Sequence, residues 1–338
     1  MKKARILYLG NQLSKHGLNK TTIETLGPQL QADGFDIISV SDRIFFPFRM
    51  LDMIRAVIKF RKQISYVLID TYSTKAFWYA FVCSQIARIL KINYISILHG
   101  GDLPNRLHKN PKLCALVFKN AYTNVAPSGY LQHAFEKEGY TNIIYIPNSI
   151  EVEKYIFKPR EKLTPKLLWV RAFASIYNSE MAVSVLFELQ KKYPNATLTM
   201  VGPDKDGSLI TTKSFATSLG VSVNFTGKLA KEDWWQLAAS HDIFINTTHF
   251  DNTPVSVMEA MALGLPVVST NVGGIPYLLT HNENALLVAD NAIPAMVEAL
   301  EVLLEQSIES NRLIHNARLF VEQMDWKVIK SDWFQLLK

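Results

Sequence analysis

The sequence predicts an α/β protein in which two doubly wound parallel sheets follow one another along the chain. Three observations carry this. A length of 338 residues exceeds one ordinary domain and suits two. Short apolar runs alternate with amphipathic stretches through both halves, the pattern of parallel strands covered by helices on both faces. The rhythm pauses in the middle, at Pro147-Asn148-Ser149 and again through Lys158-Pro159-Arg160 to Thr164-Pro165, and then starts over. That Pro-rich, charged interval reads as a linker.

In the first half the strands are expected at 5–9, 36–40, 66–69, 94–98, 123–126 and 143–146. Helices are expected at 22–32, 50–62, 76–90 and 130–138, the last with Ser128 as its N-cap. In the second half strands are expected at 167–170, 197–201, 221–225, 243–246, 266–269 and 285–288. The helices there fall at 179–192, 209–219, 231–239, 255–263, 292–305 and 311–323. A last helix over 326–337 is apolar enough to pack on another element. No short repeat or low-complexity segment interrupts the series. Two such units in succession predict a cleft where strand carboxyl ends face one another, the favoured place for a ligand.

The composition, 48% hydrophobic and 20% charged, is that of a packed globular protein. The basic start runs into an apolar stretch at 6–9 that Asn11, Gln12 and Lys15 end at once, so it reads as a first buried strand and not a secretory signal. The most apolar later window, 75–88, is short for a membrane span and contains Ser84 and Gln85. Two cysteines, Cys83 and Cys114, build no disulfide framework and show no metal-ligand spacing, which fits a reducing cytoplasm. Charge is unevenly spread. Residues 1–150 carry 19 Lys+Arg against 9 Asp+Glu, a formal +10, and residues 151–338 carry 17 against 21, a formal −4. The basic half attracts something anionic. No nucleic-acid reader motif accompanies the charge, so nucleic acid is not expected as a partner.

The segment 244–288 carries the chemistry. A strand ends near Asn246 and a polar loop follows, Phe250-Asp251-Asn252-Thr253-Pro254. A helix then opens at Val255-Ser256-Val257-Met258-Glu259-Ala260-Met261-Ala262. Free backbone amides at such a helix start, with the positive end of the dipole behind them, suit a diphosphate. Glu259, about one turn into the helix, could accept hydrogen bonds from paired hydroxyls such as those of a ribose. The alternative is that Asp251 and Pro254 only cap the helix and Glu259 is a surface charge. Gly264-Leu265-Pro266-Val267-Val268, Gly273-Gly274 and Asn284-Ala285-Leu286-Leu287-Val288 follow.

This string resembles the retaining glycosyltransferases of the GT-B fold, the group that includes glycogen synthase and many bacterial cell-surface polysaccharide transferases. Their signature is an acid, seven residues and a second acid, then Ala-Met-Ala, a Gly-x-Pro-Val-Val strand and a Gly-Gly turn. Here Asp251 stands where Glu is usual, and Asn252-Thr253 replaces the usual Gly-aromatic pair. The resemblance covers nearly the whole chain and implies two Rossmann-like domains facing across a cleft. The first, 1–150, would hold the acceptor. The second, 151–322, would hold the nucleotide-sugar, and 323–338 would pack back on the first.

The resemblance implies roles residue by residue. Glu259 would hold the nucleotide ribose, and the backbone at Val255 and Ser256 would meet the diphosphate. Asp251, Asn252, Thr253 and Pro254 would contact the donor sugar. Arg171, just after the first strand of the second domain, would lie against the diphosphate, where its guanidinium fork suits phosphate oxygens and disperses the leaving group's charge. An ion pair is the alternative for it. The family's usual lysine is missing from Ile176-Tyr177-Asn178-Ser179, where Asn178 offers only a neutral hydrogen bond. Gly227, Lys228 and Leu229 end a strand at the turn that meets the nucleobase in related enzymes. His99-Gly100-Gly101-Asp102 would lie beside the sugars, with His99 near the donor and Gly100, Gly101 and Asp102 toward the acceptor. Gly17 and Lys20 lie in the Gly17-Leu18-Asn19-Lys20-Thr21 loop, where the family loop touches donor phosphate and acceptor; it is not a Walker loop.

The expected activity is therefore transfer of a sugar from a nucleotide-sugar to a glycan or lipid-linked acceptor, with retention and with neither metal nor cofactor. Asp251, Arg171 and His99 are the catalytic candidates. A nucleotide-sugar epimerase on the same fold and a non-catalytic binding subunit are the rival readings. Arg55, Lys59 and Lys62 repeat at i, i+4 and i+7 beside Met50, Met53, Ile54 and Ile58. A helix of that kind lies on anionic lipid or packs its apolar face in a core. The first reading adds an anionic inner-membrane surface as a partner of a cytoplasmic enzyme.

Overall fold

The structure, a computed structural model, describes residues 4–18 and 20–338; the first three residues and Asn19 of the 17–21 loop lie outside the described residues. The chain divides into two compact units. The first comprises the residues up to Ser149 together with Trp326–Lys338, and the second runs Ile150–Asp325.

The first unit contains β1 (Arg5–Leu9), α1 (Leu26–Ala32), β2 (Asp36–Val40), α2 (Phe46–Phe60), β3 (Tyr66–Tyr72), α3 (Phe77–Ile89), β4 (Asn93–His99), α4 (Leu103–Lys109), α5 (Pro111–Phe118), β5 (Thr123–Ala126), α6 (Gly129–Lys137) and β6 (Ile143–Tyr145). Its six strands pair in parallel in the order β2-β1-β3-β4-β5-β6. Alternation along each strand feeds two cores. Ile6, Tyr8 and Leu68 point to the face that also buries Leu26, Leu30, Trp333 and Leu337. Leu7, Leu9, Val67 and Ile69 point to the opposite face, against Met53, Val57, Tyr79 and Cys83. Strands buried on both sides are what continuous apolar runs such as Val67-Leu68-Ile69 signal.

The second unit contains β7 (Lys166–Val170), α7 (Ser179–Gln190), β8 (Thr197–Val201), α8 (Ser208–Ser218), β9 (Asn224–Gly227), α9 (Lys231–Ala238), β10 (Ile243–Asn246), α10 (Val255–Ala262), β11 (Val267–Thr270), α11 (Ile275–Leu278), β12 (Leu286–Val288), α12 (Ile293–Glu305) and α13 (Ser307–Glu322). The parallel order is β12-β11-β10-β7-β8-β9, with strand order reversing between β7 and β10. Leu167, Trp169 and Ile245 feed one core with α7 and α12. Leu168 and Phe244 feed the other, with α9, α10 and α13. The last helix, α14 (Trp326–Leu336), returns to the first unit. There Trp333 is buried, and the Trp326 indole N–H donates to Asp33 at 2.8 Å.

Four local readings change. The expected helix over 22–32 is a 3-10 turn, Thr22–Glu24, followed by α1. Pro28 has no N–H to continue an α ladder back to Glu24, so the helix starts afresh. The strand expected at 221–225 begins three residues later, because the Val221 amide is spent on Ala216 O at the end of α8. Helices α4 and α5 fill a stretch with no expected element, and Pro111 opens the second of them, a position that needs no N–H. The interval 158–165 is not a free linker. The buried Arg160 guanidinium donates to Leu263, Gly264, Ala238 and Lys158 carbonyls and its Nε to His241, which fastens the segment onto the second unit.

Replacing Trp333 by Ala removes the largest buried side chain that α14 gives to the first unit's core. The variant is expected to lose about 3–5 kcal/mol of unfolding free energy, measured by urea denaturation, while Val328→Ala on the exposed face stays near wild type.

Candidate active site

The reversal of strand order sets β7 beside β10, so the residues leaving their carboxyl ends are neighbours, and such switch points are where open α/β sheets bind ligands. Arg171 follows β7. Its amide donates to Val201 O at 3.0 Å, and Gly202 packs so closely that a Cβ there would sit 1.7 Å from Arg171 O. The guanidinium lies over the Tyr177 ring at 4.3 Å and pairs with the carboxylate of Asp251, which leaves the loop after β10. Burial pushes the Arg171 guanidinium below its ordinary value, and Tyr177 opposes the shift. Its Nε is buried with no acceptor.

The Asp251 loop is held from behind by the Gly-Gly turn. The Gly274 amide donates to Asp251 O at 2.7 Å, and the Asn252 amide to Asp251 Oδ1 at 2.8 Å. Gly273 has φ +54°, and a Cβ on Gly274 would meet Asn252 O at 2.0 Å, so only glycine allows the two segments to approach. Pro254 then stands at the N-cap of α10. The Val257 and Met258 amides turn back to Pro254 O, and no acceptor is found among the described residues for those of Val255 and Ser256. The hydroxyls of Thr253 and Ser256 are buried without partners. Buried donors left open in this way cost stability unless something else satisfies them. Together with the free end of the α10 dipole they make a cluster of open donors whose polarity suits an anion.

One turn further on, Glu259 is 3% exposed and its Oε1 accepts the Tyr155 hydroxyl at 2.9 Å and the Lys231 ammonium at 2.7 Å. It is not a surface charge. Burial and the Glu259 charge both push the Tyr155 hydroxyl up, so it stays a donor. Lys231 opens α9, two residues beyond the turn of Gly227, Lys228 and Leu229. Gly227 has φ +72°, and its carbonyl accepts from the Gly202 amide at 2.9 Å. Lys228 is exposed, and Leu229 packs on the core beside α10. Asn178, at φ +47°, joins a 3-10 turn to α7, and its side-chain amide donates one N–H to Asn291 Oδ1 at 2.8 Å.

In the first unit His99 closes β4. Its Nε2 bonds Asp70 Oδ1 at 2.9 Å, and its ring stacks on Tyr72 at 4.9 Å. Gly100, at φ +87°, releases the chain from the strand, Gly101 follows half-buried, and Asp102 sits exposed at the N-cap of α4 with its carboxylate accepting from Asn105. Gly17, at φ +79°, ends a 3-10 turn, and Lys20 is exposed beyond it. Ser14 and Thr21, before and after these two residues, are tied to Glu24, whose carboxylate accepts from the Ser14 hydroxyl and from the Ser14 and Thr21 amides at 3.2 Å each.

The structure therefore brings Arg171, Asp251, Asn252, Thr253, Pro254, Val255 and Ser256 into one seat with Glu259 behind it, and groups His99, Gly100, Gly101 and Asp102 at one strand end. Sequence reasoning missed Tyr155, Lys231 and Asp70. An acid closing the apolar run Tyr66-Val67-Leu68-Ile69 was a usable sign of Asp70; nothing local announces Tyr155. Among the described residues no group of three or more His, Cys, Asp or Glu could hold a metal ion, and no helix is long and apolar enough to cross a membrane.

Gly274→Ala is expected to lower unfolding free energy by about 1–3 kcal/mol, because Asn252 O is backbone and cannot swing aside. Urea denaturation checks it.

Comparison with known proteins bears on the family and the fold. The profile of Glycosyl transferases group 1 matches residues 151–320. An uncharacterized glycosyltransferase of Haemophilus influenzae is 28% identical over 205 residues, 60% of this chain and 57% of that protein. The amylovoran biosynthesis glycosyltransferase AmsK of Erwinia amylovora is 25% identical over 261 residues, 73% of this chain and 64% of that protein. The chain thus spans less than two thirds of the length of either relative. Anabaena HepE, solved with UDP and glucose, superposes with a TM-score of 0.77 at 18% identity over 99% of both chains. The paired parallel sheets and flanking helices are the GT-B fold. With half its length spanned by the family profile, the chain belongs to the group 1 glycosyltransferases.

Proposed function

We propose that this chain transfers a hexosyl group from a nucleotide-sugar to a glycan or lipid-linked acceptor in cell-surface polysaccharide biosynthesis, with retention and without a metal, on the cytoplasmic side of the membrane. One observation carries the reading: Arg171 and the open end of α10 meet at the β7/β10 switch point with buried donors left over. A pyrophosphate would satisfy the Thr253 and Ser256 hydroxyls, the α10 amides and Arg171 Nε together. Charge growing on the leaving diphosphate is then stabilised by donors already in place, and no solvent need reorganise. Without a ligand, Asp251 keeps Arg171 from being a lone buried charge. With a ligand, the guanidinium has donors enough to share between carboxylate and phosphate.

Glu259 would accept the ribose hydroxyls, with Tyr155 and Lys231 fixing its carboxylate. Within the first unit, His99 would offer its ring to a sugar hydroxyl, and Gly100, Gly101, Asp102 and Lys20 would contact the acceptor. In the retaining route the diphosphate oxygen itself takes the acceptor proton, so Asp251 and Glu259 need not act as the two carboxyls of a glycosidase. The HepE structure was solved with UDP, which makes UDP the first nucleotide to test.

The membrane belongs to the same reading. Ile44, Phe45, Phe48, Leu51 and Ile58 are exposed at and along α2, with Phe45 at 62% and Phe48 at 60%, and exposed Arg55, Lys59 and Lys62 accompany them. The helix ends at Phe60, so Lys62 lies beyond it, and of the apolar neighbours expected beside the basic row Met53 is buried in the core while Ile58 is outside. Aromatic side chains beside cations suit an anionic lipid surface.

Two outcomes are expected. UDP or another nucleoside diphosphate should raise the melting temperature, and Glu259→Ala should weaken its affinity in calorimetric titration by ~1–3 kcal/mol, about 5- to 150-fold. No stabilisation by any nucleoside diphosphate or nucleotide-sugar would refute the donor site. In sedimentation, the protein should follow vesicles containing phosphatidylglycerol and not phosphatidylcholine alone, with Phe45→Ser/Phe48→Ser reducing the bound fraction. Equal binding to both vesicle types would remove the membrane surface from the reading.

A further inference from the structure

The cluster around Asp70 in the first unit has a composition that packing does not account for. Asp70 is fully buried, near the carboxyl end of β3. Its Oδ1 accepts the Tyr8 hydroxyl at 3.0 Å and bonds His99 Nε2 at 2.9 Å, while Oδ2 is buried with no partner. A carboxylate with one oxygen unsatisfied is an expensive way to fill this space. Asparagine, of the same shape, would accept from Tyr8 without a charge to desolvate. The charge makes sense only through the imidazole.

We propose that Asp70 is a positioning residue: it holds His99 with its proton on Nε2, so that Nδ1 is offered as a hydrogen-bond acceptor to a sugar hydroxyl. The inference rests on the reading of His99 given under the proposed function.

Every neighbour restricts the pair. A carboxylate is acceptor-only, so the ring nitrogen facing it must carry hydrogen. Tyr8 cannot reverse its own bond. Burial, then the Asp70 charge, push its phenol well above the ordinary value, so it remains the donor. The Tyr79 hydroxyl donates to Asp70 O at 2.7 Å and pins the backbone of β3. The stack on Tyr72, with 28° between the planes, fixes the ring's orientation. The loop after β1 arrives on the other side, where a Cβ on Gly10 would stand 2.4 Å from Asp70 Oδ2. Among the described residues His99 Nδ1 has no partner. Tautomer, ring plane and free nitrogen are thus all set before any ligand arrives, which is how a second layer of hydrogen bonds makes a contact precise.

The test reads the tautomer directly. Protein labelled with 15N-histidine is examined by long-range 1H–15N correlation, with His99→Gln identifying the signals. His99 should show a protonated Nε2 and a bare Nδ1 in the wild type, and a mixture of tautomers in Asp70→Asn. Turnover is followed with UDP-glucose, or with the nucleotide-sugar that gives the largest thermal shift. Asp70→Asn should lower kcat by about 10- to 100-fold, leaving the affinity for UDP within twofold of wild type, and adding His99→Gln should make it no worse. A wild-type His99 protonated on Nδ1, or on both nitrogens at neutral pH, overturns the proposal even if Asp70→Asn does not fold. So does an unchanged tautomer in a folded Asp70→Asn. If the tautomer behaves as stated but His99→Gln keeps full turnover, the role of His99 toward the sugar is what fails.

Discussion

The parallel pairing of β7 with β10 is the constraint from which the chemistry of the second unit follows. Strand order reverses there, so the two connections leave the sheet in opposite directions and a gap opens at the carboxyl ends. There the chain places one guanidinium, lying over the Tyr177 ring, one carboxylate and the bare start of a helix. Each alone would be an unfavourable thing to bury. The ion pair offsets part of the penalty for the two charges, and the unmet hydroxyls of Thr253 and Ser256 add a cost of their own.

Glycine decides whether that arrangement can close. Gly202 lets the strand beside β7 press against Arg171, and Gly273-Gly274 lets the turn after β11 press against Asp251 and Asn252. In both places the neighbouring atom is backbone, which cannot rotate away. The sequence motif of acid, helix and paired glycines is therefore one physical object: the glycines shape the loop that the acid belongs to.

Most of the strand framework was legible because buried parallel strands are written as continuous apolar runs, and all six in the first half needed at most a few residues' adjustment. Where the reading failed, a backbone group had been claimed elsewhere. Val221 lost its amide to a helix end, and Pro28 had none to give. The α10 seat was legible because its residues are contiguous. Tyr155 and Asp70 were not, because they meet their partners Glu259 and His99 across 104 and 29 residues, and periodicity carries no information about such pairs. Lys231 lay between these cases: its place after the Gly227 turn was visible, and its reach to Glu259 was not.

The fastening of Arg160 has a meaning for how such a protein is recombined. Because this side chain clasps carbonyls from two separate loops, and Tyr155 just before it holds Glu259, the stretch after Ile150 behaves as the leading edge of the second unit. A chimaera spliced within 150–165 would sever the Arg160 clamp and the Tyr155–Glu259 bond at once, and leave several carbonyls unmet in the body that inherits them. Splice points that respect the molecule's own seams lie at Ser149/Ile150 and Asp325/Trp326, so a transplanted module needs two cuts.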